Sequence, residues 1–193
     1  MLFNLPIALT LLRIVLIPVF VMVFYLPVSW ANTLCATLFS IAAATDWLDG
    51  FLARRWRQTS SFGAFLDPVA DKLMVVAALV LLVQIMSTPW IAIAAVIIIG
   101  REITVSALRE WMAQIGGRNA VAVSMMGKLK TTSQMIALIL LLYRHPLGSF
   151  PTLQAGMALL FIAAGLTLWS MMLYLLAAWP IIKRQKSGLT ISS

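Results

Sequence analysis

Only six carboxylates occur in this 193-residue chain, and four of them, Asp46, Asp49, Asp67 and Asp71, fall within 26 consecutive positions. The remaining two are Glu102 and Glu110, and the residues around all six are largely apolar. A carboxylate at membrane depth costs at least about 2.5–3.5 kcal/mol on insertion scales, and four together also repel one another. Such a cluster is tolerable only around strong positive charge, which one or two divalent cations would supply. All-oxygen ligation suits hard ions such as Mg²⁺ or Mn²⁺, which keep positions open for a substrate phosphate. A pair of such ions can clamp both sides of an in-line phosphoryl displacement.

The spacing supports convergence of the four acids. Asp46 and Asp49 are three apart and share a helix face; Gly63, Asp67 and Asp71 are spaced four and four, which again defines one face. The polar turn Gln58-Thr59-Ser60-Ser61 between them makes the two helices antiparallel neighbours. Pro68 then lies inside the second helix and kinks it. Gly50, Ala53 and Gly63 leave a smooth trough beside the acids, wide enough for a flat group such as a nucleotide, and Arg54 at its rim offers a guanidinium to phosphate. Taken singly, Asp67 before Pro68 reads equally well as a helix N-cap.

The elements that must position these residues follow from composition. With 62% hydrophobic and 10% charged residues, the chain reads as an all-α polytopic membrane protein. Spans of about 20 apolar residues are expected near 7–25, 32–56, 62–86, 89–111, 127–143 and 153–179, giving six transmembrane helices in one domain over 1–182 and a basic tail over 183–193. Pro180 is expected to stop the last helix. Six spans bring both termini to one side. That side then holds thirteen of the 14 Lys and Arg residues, leaving only Arg144 opposite, and the positive-inside rule makes it the cytoplasm. The net charge of +8 accordingly reads as topology and phosphate-bearing substrates, with membrane lipids and not nucleic acid as the partner. Cys35 is single and forms no internal disulfide, and Arg13 interrupts the first apolar run too early for a cleavable signal peptide.

The pattern Asp46-x2-Asp49-Gly50-x2-Ala53-Arg54-x8-Gly63-x3-Asp67-x3-Asp71 resembles the signature of the CDP-alcohol phosphatidyltransferases with no departure in spacing. Asn4-x-Pro6, Leu9-Thr10-x2-Arg13, Arg101-Glu102, Arg109-Glu110 and Gly127-Lys128-Leu129-Lys130-Thr131 extend the resemblance over nearly the whole chain, toward the branch of the family that uses glycerol 3-phosphate. The resemblance implies a membrane enzyme of the bacterial inner membrane, usually a homodimer. Its activity would be transfer of a phosphatidyl group from CDP-diacylglycerol with release of CMP at the cytoplasmic face. It makes Asp46, Asp49, Asp67 and Asp71 ligands of two Mg²⁺ or Mn²⁺ ions and Asp71 also the base for the acceptor hydroxyl. It places Gly50, Arg54, Ser60 and, more distantly, Thr10 against the CDP part, beside the trough of Gly50, Ala53 and Gly63.

The acceptor phosphate needs fixed positive charge near the metal site. Arg101, Arg109, Arg118, Lys128 and Lys130 are expected on the same side as the acids; Arg101 and Arg109 share a helix face, and Lys128 and Lys130 sit at a helix start, where free N–H groups add to the attraction. The plainer readings are that Arg101 and Glu102 pair inside the bundle and that the lysines anchor at the interface. Serine, inositol phosphate or a second lipid are alternative acceptors. From the acids alone, a divalent-cation transporter or a non-catalytic scaffold is also open.

Overall fold

The computed structural model describes residues 5–56, 61–114 and 125–189, with side chains for all of these except 5–7, 47, 49–56, 61–65, 67, 109, 113–114, 125–128, 177–178 and 180–189. Its described residues form six α-helices: α1 (Leu5–Phe24), α2 (Ala31–Trp56), α3 (Ser61–Met86), α4 (Pro89–Gln114), α5 (Met125–Tyr143) and α6 (Thr152–Leu189). The expected spans coincide with these helices to within a few residues, apart from the end of α6.

Local chemistry sets several of the boundaries. Pro6 lies in the first turn of α1 and Pro89 opens α4, positions where a missing N–H leaves no intrahelical bond unmade. At the other ends, Ser87 (φ 46°) and Arg144 (φ 60°) turn left-handed. Their N–H groups close α3 and α5 on the carbonyls of Val83 and Leu140, at 3.3 and 3.1 Å. Of the two expectations about proline, Pro68 inside α3 holds and the stop at Pro180 changes. Helix α3 already starts at Ser61, so Asp67 and Pro68 lie inside it and Asp67 is not its N-cap. Helix α6 runs through Pro180 to Leu189 and takes in Lys183, Arg184 and Lys186, which were expected as a tail. A proline removes one backbone bond, but a long helix retains the others, and α6 continues past it.

Helix α1 packs on α2 and α3, α2 on α5, α4 on α3 and α6, and α5 on α6. Phe20, Phe39, Leu79, Leu82, Ile91, Ile98, Leu138, Leu141 and Leu160 fill the interior. Gly156 lets α6 approach α5, where a Cβ would stand 2.9 Å from Leu141 Cγ. The outer surface is also apolar: Met22, Val96, Ile103 and Leu176 are all more than half exposed. For an all-helical chain this is the surface of a membrane protein. Three helical stretches, Pro68–Met86, Pro89–Met112 and Thr152–Leu176, are long and apolar enough to cross a bilayer, and Ala8–Phe24 and Leu129–Tyr143 are shorter apolar helices.

Polar cross-links fix the relative directions of the helices. Arg13 on α1 meets Asp46 on α2, Lys72 on α3 meets Ser106 on α4, and Glu102 on α4 meets Lys130 on α5. At the opposite end Tyr25 donates to Gln84, and the Arg144 guanidinium lies 5.7 Å over the Phe24 ring. Successive helices therefore alternate in direction, and Arg13, Lys72, Arg101 and Lys130 gather at one end with Asp46 and Asp71.

Candidate active site

Helix α1 supplies the first charge. Thr10 and Arg13, one turn apart, both face inward, and the Arg13 side chain is only 1% exposed. Its Nη1 donates to Asp46 Oδ1 at 2.8 Å. Asp46 keeps 39% of its side chain accessible, so one edge of the carboxylate is tied to Arg13 while the group still reaches outward. Arg13, Ala42, Ala43 and Asp71 line one small cavity, which brings α1, α2 and α3 together at this level. Asp71 thus shares one cavity with Arg13, whose partner is Asp46, and another with Lys72 and Glu102. The helical register carries Asp49 one turn beyond Asp46 and places Asp67 one turn before Asp71.

Asp71 also opens onto a second cavity of about 250 Å³, whose polar lining is Asp71, Lys72, Arg101, Glu102, Lys130, Thr131, Gln134 and Tyr174. Three cations thus face two carboxylates. Arg101 is held on three sides: Nη1 donates to Glu102 Oε1 at 2.8 Å, Nη2 donates to Ser170 Oγ at 3.3 Å, and the guanidinium lies 5.8 Å over the Tyr174 ring. Lys130 Nζ donates to the same Glu102 oxygen at 2.6 Å. Lys72 donates to Ser106 Oγ, which in turn donates to the Glu102 carbonyl at 2.6 Å. A small cavity with a carboxylate on one wall and a fixed guanidinium and ammonium on another suits a molecule bearing both a hydroxyl and a phosphate.

The model of the CDP-alcohol phosphatidyltransferase family matches residues 3–179. The chain belongs to the CDP-alcohol phosphatidyltransferase family. It is 56% identical over 176 residues to the Escherichia coli K12 protein named CDP-diacylglycerol–glycerol-3-phosphate 3-phosphatidyltransferase, covering 91% of this chain and 95% of that one. The Shigella sonnei protein of the same name is also 56% identical, and the one from Salmonella paratyphi A is 57% identical, with the same coverage. Membership in a transferase family removes the transporter and scaffold readings that the acids alone left open.

Against the family signature, the structure brings together Asp46 and Asp71 beside Arg13, and Asp71, Arg101 and Lys130 around one cavity. The side chains of Asp49, Gly50, Ala53, Arg54, Gly63, Asp67, Arg109 and Lys128 lie outside those described, although their backbones are helical, and Ser60 and Arg118 lie outside the described residues. Lys128 and Lys130 fall within the first two turns of α5. No group of three metal-binding side chains occurs among the described residues. The donor set nevertheless fits a hard cation: all four side chains are carboxylates, carried in pairs on two neighbouring helices. Reasoning from the sequence missed Arg13, Glu102, Lys72 and Gln134 as parts of the site. The signal for Arg13 was present, since a lone guanidinium in an apolar helix marks a functional position.

Proposed function

We propose that this chain transfers the phosphatidyl group of CDP-diacylglycerol to sn-glycerol 3-phosphate, giving phosphatidylglycerophosphate and CMP, as a step toward phosphatidylglycerol. The observation that carries the reading is the cavity in which Asp71 faces Arg101 and Lys130. An acceptor with a hydroxyl at one end and a phosphate at the other spans those two walls. The names of the relatives from Escherichia, Shigella and Salmonella give the same donor and acceptor.

In this mechanism Arg101 and Lys130 take the acceptor phosphate, Arg101 through two parallel N–H bonds and Lys130 as a point charge. Asp71 accepts the proton of the acceptor hydroxyl at a carboxylate oxygen as that hydroxyl attacks the phosphatidyl phosphorus and CMP departs. Arg54 and the trough of Gly50, Ala53 and Gly63, with Ser60 and Thr10, orient the CDP part. Arg109, Arg118 and Lys128 add positive charge on the acceptor's approach. Asp46, Asp49, Asp67 and Asp71 would hold two Mg²⁺ or Mn²⁺ ions, which supply charge stabilisation for the transferring phosphoryl group. Arg13 fixes Asp46 in place. The setting is six membrane-spanning helices in a homodimer of the bacterial inner membrane, with both termini and the site at the cytoplasm.

The test is CMP release from CDP-diacylglycerol in detergent micelles, with glycerol 3-phosphate, serine and inositol phosphate offered in turn, each with Mg²⁺, with Mn²⁺ and with excess chelator. Release with glycerol 3-phosphate that chelator abolishes is the expected result. Release with a different acceptor and none with glycerol 3-phosphate overturns the assignment.

A further inference from the structure

Gln134 is one of the polar groups in the cavity that the mechanism leaves unused. Its side chain is nearly fully buried, at 4% exposure, and no donor among the described residues reaches its Oε1. It lies on α5 one turn beyond Lys130, so the two share a strip of the helix, and it lines the same cavity as Asp71 and Arg101. A buried amide oxygen without a partner costs roughly 1–3 kcal/mol, whereas an apolar side chain of the same length would incur no such cost. The next turn of α5 is apolar and packed: Ala137 and Leu138 are completely buried. A polar group held there at a cost is accounted for by a ligand that satisfies it.

The chemistry of that ligand group is constrained by the walls on either side. Lys130 and Arg101 provide for a phosphate, and Asp71 provides for the reacting hydroxyl. The group that the ligand presents to Gln134 must donate a hydrogen bond to an amide oxygen or accept one from an amide N–H. A hydroxyl does both, and therefore meets the carboxamide whichever way it is turned. Resting on the acceptor proposed above, we infer that Gln134 binds the middle hydroxyl of glycerol 3-phosphate and makes the site selective for a vicinal diol phosphate over a simple alcohol phosphate.

The experiment compares glycerol 3-phosphate with 3-hydroxypropyl phosphate, which keeps the phosphate and the terminal hydroxyl but lacks the middle one. CDP-diacylglycerol is kept saturating, and the wild-type, Gln134→Met and Gln134→Glu proteins are each assayed in detergent. The wild type should favour glycerol 3-phosphate on the order of 10- to 100-fold in kcat/KM, the range expected when a buried polar group is left unpaired. In Gln134→Met, a near-isosteric apolar replacement, the preference should fall to within about three-fold, by loss on glycerol 3-phosphate and not on the analogue. Gln134→Glu keeps a hydrogen-bonding oxygen and should keep the preference, while its added negative charge raises KM for both acceptors. The KM for CDP-diacylglycerol should not move in either variant. A wild type that treats the two acceptors alike overturns the inference, as does a Gln134→Met enzyme with undiminished preference or a Gln134→Glu enzyme without one. If Gln134→Met does not accumulate folded, the wild-type ratio and Gln134→Glu decide between the same outcomes. A wild type that releases no CMP with glycerol 3-phosphate fails at the acceptor assignment itself, which is a different result from activity without discrimination.

Discussion

Replacing Glu102 by Gln should weaken the empty protein and strengthen its hold on the acceptor. One oxygen of Glu102 receives both Arg101 Nη1 at 2.8 Å and Lys130 Nζ at 2.6 Å, and the two cations are 9% and 3% exposed. Removing one partner of a buried ion pair outright costs about 3–5 kcal/mol. Gln keeps an acceptor oxygen, and Glu102 is itself 26% exposed, so water already shares in the pairing. The expected loss is therefore about 1–2 kcal/mol, or about 2–8 °C in the melting temperature for a chain of this size. The opposite effect appears on binding. Glu102 and the acceptor phosphate compete for the same two cations, and a like charge one side chain away repels by on the order of 2–4 kcal/mol at an effective dielectric near 20. Even half of the smaller figure lowers KM for glycerol 3-phosphate about five-fold. The assay pairs thermal melts in detergent, with and without glycerol 3-phosphate, with steady-state titration of each substrate. The variant should melt lower when empty and gain more from the ligand than the wild type does. A variant that melts like the wild type and shows a raised KM for glycerol 3-phosphate would refute the reasoning and make Glu102 a direct substrate ligand.

Asp67→Ala should abolish turnover while the protein still inserts, because deleting a carboxylate from an apolar setting lowers the cost of insertion, whereas Asp46→Ala should abolish turnover and also lower the yield of inserted protein, because the buried Arg13 guanidinium loses the Asp46 carboxylate; normal CMP release by either one in excess chelator removes the metal site. Asp71→Asn should lose roughly 10²–10⁴-fold in kcat, the usual contribution of a positioned base, and a wild-type kcat across the whole pH range rules that role out. Gly156→Val sets a Cβ 2.9 Å from Leu141 Cγ and 3.1 Å from Leu140 Cβ, so α6 must move off α5. The expected cost is about 1–3 kcal/mol, or roughly 2–12 °C in the melting temperature; an unchanged melt shows that the two helices separate freely there.

The six helices were legible because each is a long apolar run closed by Pro, by polar turns or by a left-handed residue, and these signals are local. The acidic signature was legible for the same reason: a helix has a fixed period, so spacing alone puts Asp46 with Asp49 and Asp67 with Asp71. Contacts between distant helices were not. The sequence makes Arg101 and Lys130 candidate phosphate ligands, but their common attachment to Glu102 depends on how α4 and α5 are set against each other, which no local pattern encodes. Gln134 lay in plain view four residues after Lys130, yet one amide in an apolar helix has no meaning until a cavity is found beside it. Pro180 misled because proline is a reliable stop in water, where a broken helix end is hydrated, and a weaker one in α6.

The Arg13–Asp46 pair also bears on how the chain enters the bilayer. Helix α1 leaves the ribosome before α2, with a guanidinium at its ninth residue, and alone in lipid that charge would cost at least about 2.5–3.5 kcal/mol at the helix centre. Its counter-charge is 33 residues downstream, beyond a turn of only six residues between α1 and α2. The economical route is for α1 to remain in the insertion machinery until α2 arrives and for the two to leave together with Arg13 and Asp46 paired. On that route Asp46 acts during synthesis as the escort of α1, before it takes part in any reaction.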